Sequence, residues 1–353
     1  MTGVFDHPWL SGLFADDEIA ALWSAEAQLS SMLAFESAWS RHGHLAGLWS
    51  EAEGHSAADA VTSVDFDPKE LSDGTAQDGV CVPALVRLLK ERTGANAIHK
   101  GATSQDVIDT ATVLSLVRSL DLIGGRLERL DLDLSALETR FGANPLMGRT
   151  RMQAAIPITV ADRVQTWRLP LASHRERLEQ LRPRVAVVQI GGAAGDRAAL
   201  GEGAEAICHA VAADLGLSAP PQSWHAMRDG IAEAGSLLSL VTGTLGKMGQ
   251  DICLMAQQGI DEIRMDGGGG SSAMPHKQNP VLAELLVTLA RFNAVQVSGL
   301  HQAMIHEQER SGAAWTLEWM ILPQMVQATG RALAVASALT TQIVDIGSPD
   351  PLS

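Results

Sequence analysis

Cysteine is scarce in this chain of 353 residues. Cys81, Cys208 and Cys253 are widely spaced, odd in number and not in CxxC pairs, which argues against a disulfide framework or zinc cluster and fits a reducing cytoplasm. A basic start followed by an apolar run is also missing from the first residues, MTGVFDHPWLSGLF, so no secretory signal is expected. No uninterrupted apolar stretch has bilayer-spanning length, and no membrane partner is expected. Positive charge is in deficit: the net charge of -15 opposes binding to nucleic acid or to an anionic membrane. It leaves room for a small anionic substrate, because a few local cations can dominate a pocket. The histidines show neither HExxH nor paired metal-ligand spacing, so no metal is expected. Lys277 is followed by Gln278, which rules out a GxxxxGK[ST] phosphate loop. The segment VAVVQIGGAAG, Val185 to Gly195, lacks GxGxxG spacing, and its apolar stripe continues the preceding helix. A dinucleotide fold is therefore rejected, and no cofactor is expected.

What the chain does have is helical periodicity. Hydrophobic residues make up 46% of it, enough for a sizeable core. Leu22, Leu29, Met32 and Trp39 mark an amphipathic helix. The pattern breaks between about Gly43 and Pro83, and a short helix follows from Pro83 to Arg92. Three much longer stripes come next: Val113 to Phe141, Val160 to Val188 (with Pro170 and Pro183 as kinks), and Ile231 to Met255. Pro280 to His306 and Leu317 to Val344 complete about five long helices. The expected fold is all-α, a bundle of long antiparallel helices over 109–353 with a smaller helical domain over 1–108. Helices this long need partners along their whole length, so a homo-oligomer is expected.

Three polar clusters interrupt the helices. HKGATSQDVID, His99 to Asp109, precedes a long helix; Thr103 or Ser104 can cap it, and its free amides can attract an anion. GRTRMQAAIP, Gly148 to Pro157, is read as another helix start, with Arg149 and Arg151 able to grip carboxylates and Gln153 able to hydrogen-bond. It is equally readable as a solvated basic turn. GGGGSSAMPHKQNP, Gly267 to Pro280, is either a linker or a mobile loop carrying hydroxyls, an ammonium and an amide.

In order, the three clusters resemble the three active-site regions of the fumarase/aspartase superfamily. GSSAMPHKQNP is similar to its most diagnostic motif, and HKGATSQDVIDTA is close to the version in adenylosuccinate lyases. The resemblance implies a homotetramer with active sites shared between subunits. It also implies proton removal from, or delivery to, a carbon alpha to a carboxylate. Ser271 matches the catalytic base, and its alkoxide needs Lys277 and backbone amides for stabilisation. Lys277 and Asn279 match groups on the substrate carboxylate; Thr103, Ser104, Gln153 and Ser272 match substrate-binding positions, and His99 matches a histidine of the first region, a catalytic position expected to orient substrate or assist proton transfer.

One departure sharpens the expectation. Lyases of the superfamily usually read GRTH in the second region, where the histidine assists a poor leaving group; here Arg151 stands in its place. An arginine is no proton donor at neutral pH but binds carboxylates. A leaving group that is itself a carboxylate fits, which is lactone chemistry. HEQERSGAAWTLEWMILP, His306 to Pro323, resembles the bacterial 3-carboxy-cis,cis-muconate cycloisomerases, which otherwise usually carry an aromatic residue where Arg151 stands, and adds Arg310 as a carboxylate ligand. The implied activity is cofactor-independent cycloisomerisation of 3-carboxy-cis,cis-muconate or a 3-substituted analogue such as 3-sulfomuconate, a di- or tricarboxylate-type substrate of protocatechuate catabolism. The alternatives are an adenylosuccinate- or argininosuccinate-type lyase, and a catalytically silent structural oligomer. The sequence ends soon after the last bundle helix, so most of the third domain of many relatives is expected to be lacking.

Overall fold

The five longest periodic stretches form the helices their stripes predict. The computed structural model describes residues 3–267, 269–270 and 278–348. Its elements in chain order are α1 (Ser11–Phe14), α2 (Asp17–Leu22), α3 (Ala25–His42), α4 (Glu51–Val61), α5 (Pro68–Asp78), α6 (Val82–Thr93) and α7 (Ser104–Phe141). A hairpin of β1 (Pro145–Thr150) and β2 (Gln153–Thr159) leads into α8 (Val160–Val185), α9 (Ala204–Asp214) and α10 (Asp229–Met255). Then come β3 (Ile263–Met265), β4 (Gly269–Gly270), β5 (Gln278–Asn279), α11 (Val281–Ala303), α12 (Ala313–Gln342) and β6 (Ile343–Ile346). The short strands pair antiparallel as β1–β2, β3–β6 and β4–β5.

The bundle core follows from the stripes. Leu116, Leu120, Ile123, Leu127, Leu130, Leu134 and Leu137 of α7 are all buried, and they belong to one core with Trp167 and Leu171 of α8, Leu245 and Ile252 of α10, and Met325 and Leu333 of α12. The α10–α11 pair packs especially closely: a Cβ at Gly249 would lie 2.4 Å from the Ala283 carbonyl oxygen. A second core joins Phe35, Trp39, Leu85 and Leu89 to Val107 and Ala111 of α7. It also takes in Val188, Ile190, Ile207 and Val211 from much later in the chain.

Three local expectations are corrected, and one feature of α11 is added. The stretch from Gly43 to Pro83 contains two helices, α4 and α5, each opened by a reciprocal capping pair, Ser50 with Glu53 and Asp67 with Glu70. The second polar cluster does not start a helix; it turns a β-hairpin, and Thr159 caps α8. The stripe after α8 does not stay helical: α8 ends at Val185, and Val187 bridges to Ser218. Pro170 and Pro183 lie within α8. Lastly, α11 is long and apolar enough to cross a membrane by length and composition, although Glu284 and Arg291 interrupt its apolar run. Only 28% of that apolar window is buried.

Candidate active site

Asp106 organises the start of α7. It is fully buried and accepts hydrogen bonds from the Thr103 amide (3.0 Å), the Gly191 amide (2.8 Å) and the Gly192 amide (3.1 Å). His225 Nε2 lies 2.8 Å from it as a fourth partner. One turn on, Asp109 is bonded by Arg228 (2.7 and 3.1 Å), the Trp315 indole (2.9 Å) and Gln105 (3.1 Å). Arg228 continues to Glu318 at 2.9 Å. Burial pushes the Glu318 carboxyl above its ordinary pKa, against the pull of Arg228. Two acids one turn apart thus tie α7 to the 189–195 loop, to the 223–228 segment and to α12. A buried charge needs this many partners, because an unpaired one is strongly destabilising.

These ties collect four of the expected site residues at one place. Thr103 caps α7 and Ser104 opens it, both half-buried. Arg310 is exposed and donates to the carbonyls of Gly192 (3.2 Å) and Ala193 (3.1 Å). Gly192, with φ of 67°, sits so close that a Cβ would be 3.1 Å from the Gly101 carbonyl. His99 stands just before the cap, with Nδ1 2.6 Å from Glu36 Oε1. The helix N-terminus and Arg310 make this end attractive to a carboxylate.

Arg151 and Gln153 are elsewhere. Arg151 is in the two-residue tip of the β1–β2 hairpin and Gln153 follows it, paired with Thr150. Arg151 and Met152 have φ of 48° and 68°, the signature of a type I′ turn. Such turns favour Asn-Gly; an arginine and a methionine there carry strain of roughly 1–3 kcal/mol each. Both side chains are exposed. Arg149, by contrast, is committed to the buried Glu262 at 2.5 Å, so it fastens the hairpin rather than serving a substrate. Asn279, half-buried, pairs with Gly269 and closes the base of the third motif. Ser271, Ser272 and Lys277 lie outside the described residues.

The two groups sit at opposite ends of the bundle. The 38 residues of α7, at ~1.5 Å each, put about 57 Å between Ser104 and the helix end that leads into the hairpin. The β3–β6 pair joins that far end too, since the Ser348 amide donates to the Pro145 carbonyl and the Asn144 side chain to the Ile346 carbonyl. No single chain brings Arg151 to Ser104.

The supporting roles of Asp106, Glu36, His225 and the Arg228–Asp109–Glu318 group were not among the sequence expectations. The pair Gly191–Gly192 was the available signal, since adjacent glycines after an apolar run permit a close backbone approach. Trp315 is buried, donates its indole N–H to Asp109 and packs 4.7 Å edge-on from Trp319.

Residues 12–299 match the lyase family described as Lyase. The chain is 38% identical over 348 residues to the 3-carboxy-cis,cis-muconate cycloisomerase of Pseudomonas aeruginosa, covering 96% of this chain and 76% of that protein. It is 30% identical to the N-acetyl-S-(2-succino)cysteine lyase of Enterococcus italicus, covering 94% of this chain and 74% of that one. Among solved structures, the 3-carboxy-cis,cis-muconate lactonizing enzyme from Pseudomonas putida superposes with a TM-score of 0.89 at 35% identity, covering 96% of this chain and 77% of that chain. The chain belongs to this lyase family, the fumarase/aspartase superfamily. The all-α bundle expected from the resemblance is the fold observed.

Proposed function

We propose that the protein is a cofactor-independent cycloisomerase that interconverts 3-carboxy-cis,cis-muconate, or a close 3-substituted analogue such as 3-sulfomuconate, with its muconolactone. The observation that carries this reading is Arg151. At the second-region position of a lyase it offers a permanent cation on an exposed hairpin tip and no proton donor.

In the lactonising direction an internal carboxylate oxygen forms a C–O bond to the conjugated diene. The π electrons move into the distal carboxylate as an aci-carboxylate, and the Ser271 hydroxyl delivers a proton to the alpha carbon. In reverse, the Ser271 alkoxide removes that proton and the ring carboxylate leaves with the C–O bonding pair. A carboxylate leaving group needs no acid. Lys277 stabilises the alkoxide, while Thr103, Ser104, Arg151, Gln153, Ser272, Asn279 and Arg310 hold the substrate's anionic groups.

The separation along α7 supports sites shared between copies, and a homotetramer is the assembly we favour. The half-exposed or more exposed Leu240, Val295 and Met320, on α10, α11 and α12, together with the thinly buried α11, give an apolar surface suited to such an interface. A cytoplasmic location fits the free cysteines. One further reading has a specific basis: the likeness to a succinocysteine lyase, whose thiolate leaving group also needs little help from an acid.

The test is to incubate the purified protein separately with 3-carboxy-cis,cis-muconate, 3-sulfomuconate, N-acetyl-S-(2-succino)cysteine and adenylosuccinate while following ultraviolet absorbance. Loss of the muconate diene band is expected; turnover confined to a succinyl compound would contradict the proposal.

A further inference from the structure

Glu36 on α3 is a fully buried carboxylate with one described partner. Its Oε1 lies 2.6 Å from His99 Nδ1, and its Oε2 is buried with no partner among the described residues. A carboxylate so placed needs a countercharge close by, because desolvation otherwise favours its neutral form. The same helix also grips the next residue: Trp39, three positions along, donates its indole N–H to the Lys100 carbonyl at 3.2 Å. Between these two contacts His99 is held at φ of 61°, a left-handed conformation that a residue with a Cβ adopts only at a cost. The ring is oriented by this arrangement. The Glu36 side chain has no exposure whereas that of His99 has 17%, so Nδ1 is turned inward onto the buried carboxylate while part of the ring remains accessible.

We propose that Glu36 is a positioning residue that holds His99 as an imidazolium, with Nδ1–H donated inward and Nε2–H offered to a substrate carboxylate. His99 then anchors charge and is not the group that moves the proton. This rests on the reading that the start of α7 binds the substrate.

The surrounding charges agree. Burial opposes a proton on His99, but the attraction and hydrogen bond of Glu36 outweigh it, Asp106 adds to them and Lys90 opposes, so the pKa of His99 lies above its ordinary value. Lys100 is exposed and reaches instead toward the Leu48 carbonyl. A neutral imidazole serving as a base would require the opposite balance.

The experiment is an NMR titration of the full-length protein carrying 13C-labelled histidine, with His99→Gln identifying the signal, alongside steady-state kinetics of wild type and Glu36→Gln. In the wild type His99 is expected to titrate above ~6.5, and in Glu36→Gln at least about one unit lower. At pH 7 the variant's KM should rise about tenfold while kcat changes less than about twofold, and lowering the pH should restore KM. A wild-type His99 titrating at or below ~6.5 would overturn the proposal without any variant being needed. So would an unshifted value in Glu36→Gln, or a fall in kcat at constant KM. The titration needs no substrate, so it stands or falls apart from the assignment of the reaction.

Discussion

Ser104 and Arg151 lie at opposite ends of the bundle, joined by one unbroken 38-residue helix and the hairpin that follows it. The helix length forbids the two from serving one substrate in one chain. It also explains why the three polar clusters, so widely separated in sequence, are not drawn together by folding of the monomer. The hairpin and the described ends of the third cluster, Gly269 and Asn279, lie at one end of the bundle and the first cluster at the other.

Arg151 occupies a turn position that glycine would fill without strain. Arg151→Gly should therefore keep the hairpin and leave the thermal midpoint unchanged or slightly higher, because φ of 48° suits glycine. The same change removes the proposed carboxylate ligand, so KM should rise by roughly tenfold or more. Steady-state kinetics beside a melting curve would show the two effects separating.

Replacing Ser271 with alanine should lower kcat by at least ~10²-fold, the scale of general acid–base catalysis, with no change in melting temperature. Turnover within a few-fold of wild type would remove Ser271 from the role proposed for it.

His174 gives the fold its own acid sensitivity. It is buried on α8 with Nε2 2.8 Å from the Thr244 hydroxyl, and burial together with Arg177 lowers its pKa to about 4. The unfolded chain then binds a proton that the folded chain refuses between about pH 6.5 and 4. Stability is full above the unfolded value and falls as the pH drops through that window, by about 3 kcal/mol in all. Urea unfolding at several pH values should show this slope, and His174→Gln should flatten it.

Much of the architecture was legible because long apolar stripes at steps of three and four admit few alternatives. Leu116 to Leu137 could hardly be anything other than one face of a helix. The hairpin was not legible, since Arg151–Met152 lacks the Asn-Gly chemistry that announces a type I′ turn. The segment after Val185 departs from its helical expectation for a related reason: a short β-branched apolar run suits a strand and a helix equally, and only its pairing with Ser218 decides. The caps of α4 and α5 were readable in Ser50–Glu53 and Asp67–Glu70 but were obscured by the glycine and serine around them. Within the site, the motif residues could be named from the sequence, whereas their supports could not. Glu36 and His99 are 63 positions apart, and Asp106 and His225 are 119 apart. Such pairs have no local signature.

The most direct test of the shared-site account mixes two inactive variants. Arg151→Ala and Arg310→Ala alter opposite ends of the bundle, and each alone should be strongly impaired. After co-refolding in equal amounts, about a quarter of sites in a statistical mixture should receive both native residues, and activity should return to about that fraction. If the mixture stays as inactive as its components while forming mixed oligomers, the site does not draw these two arginines from different chains and the account is wrong.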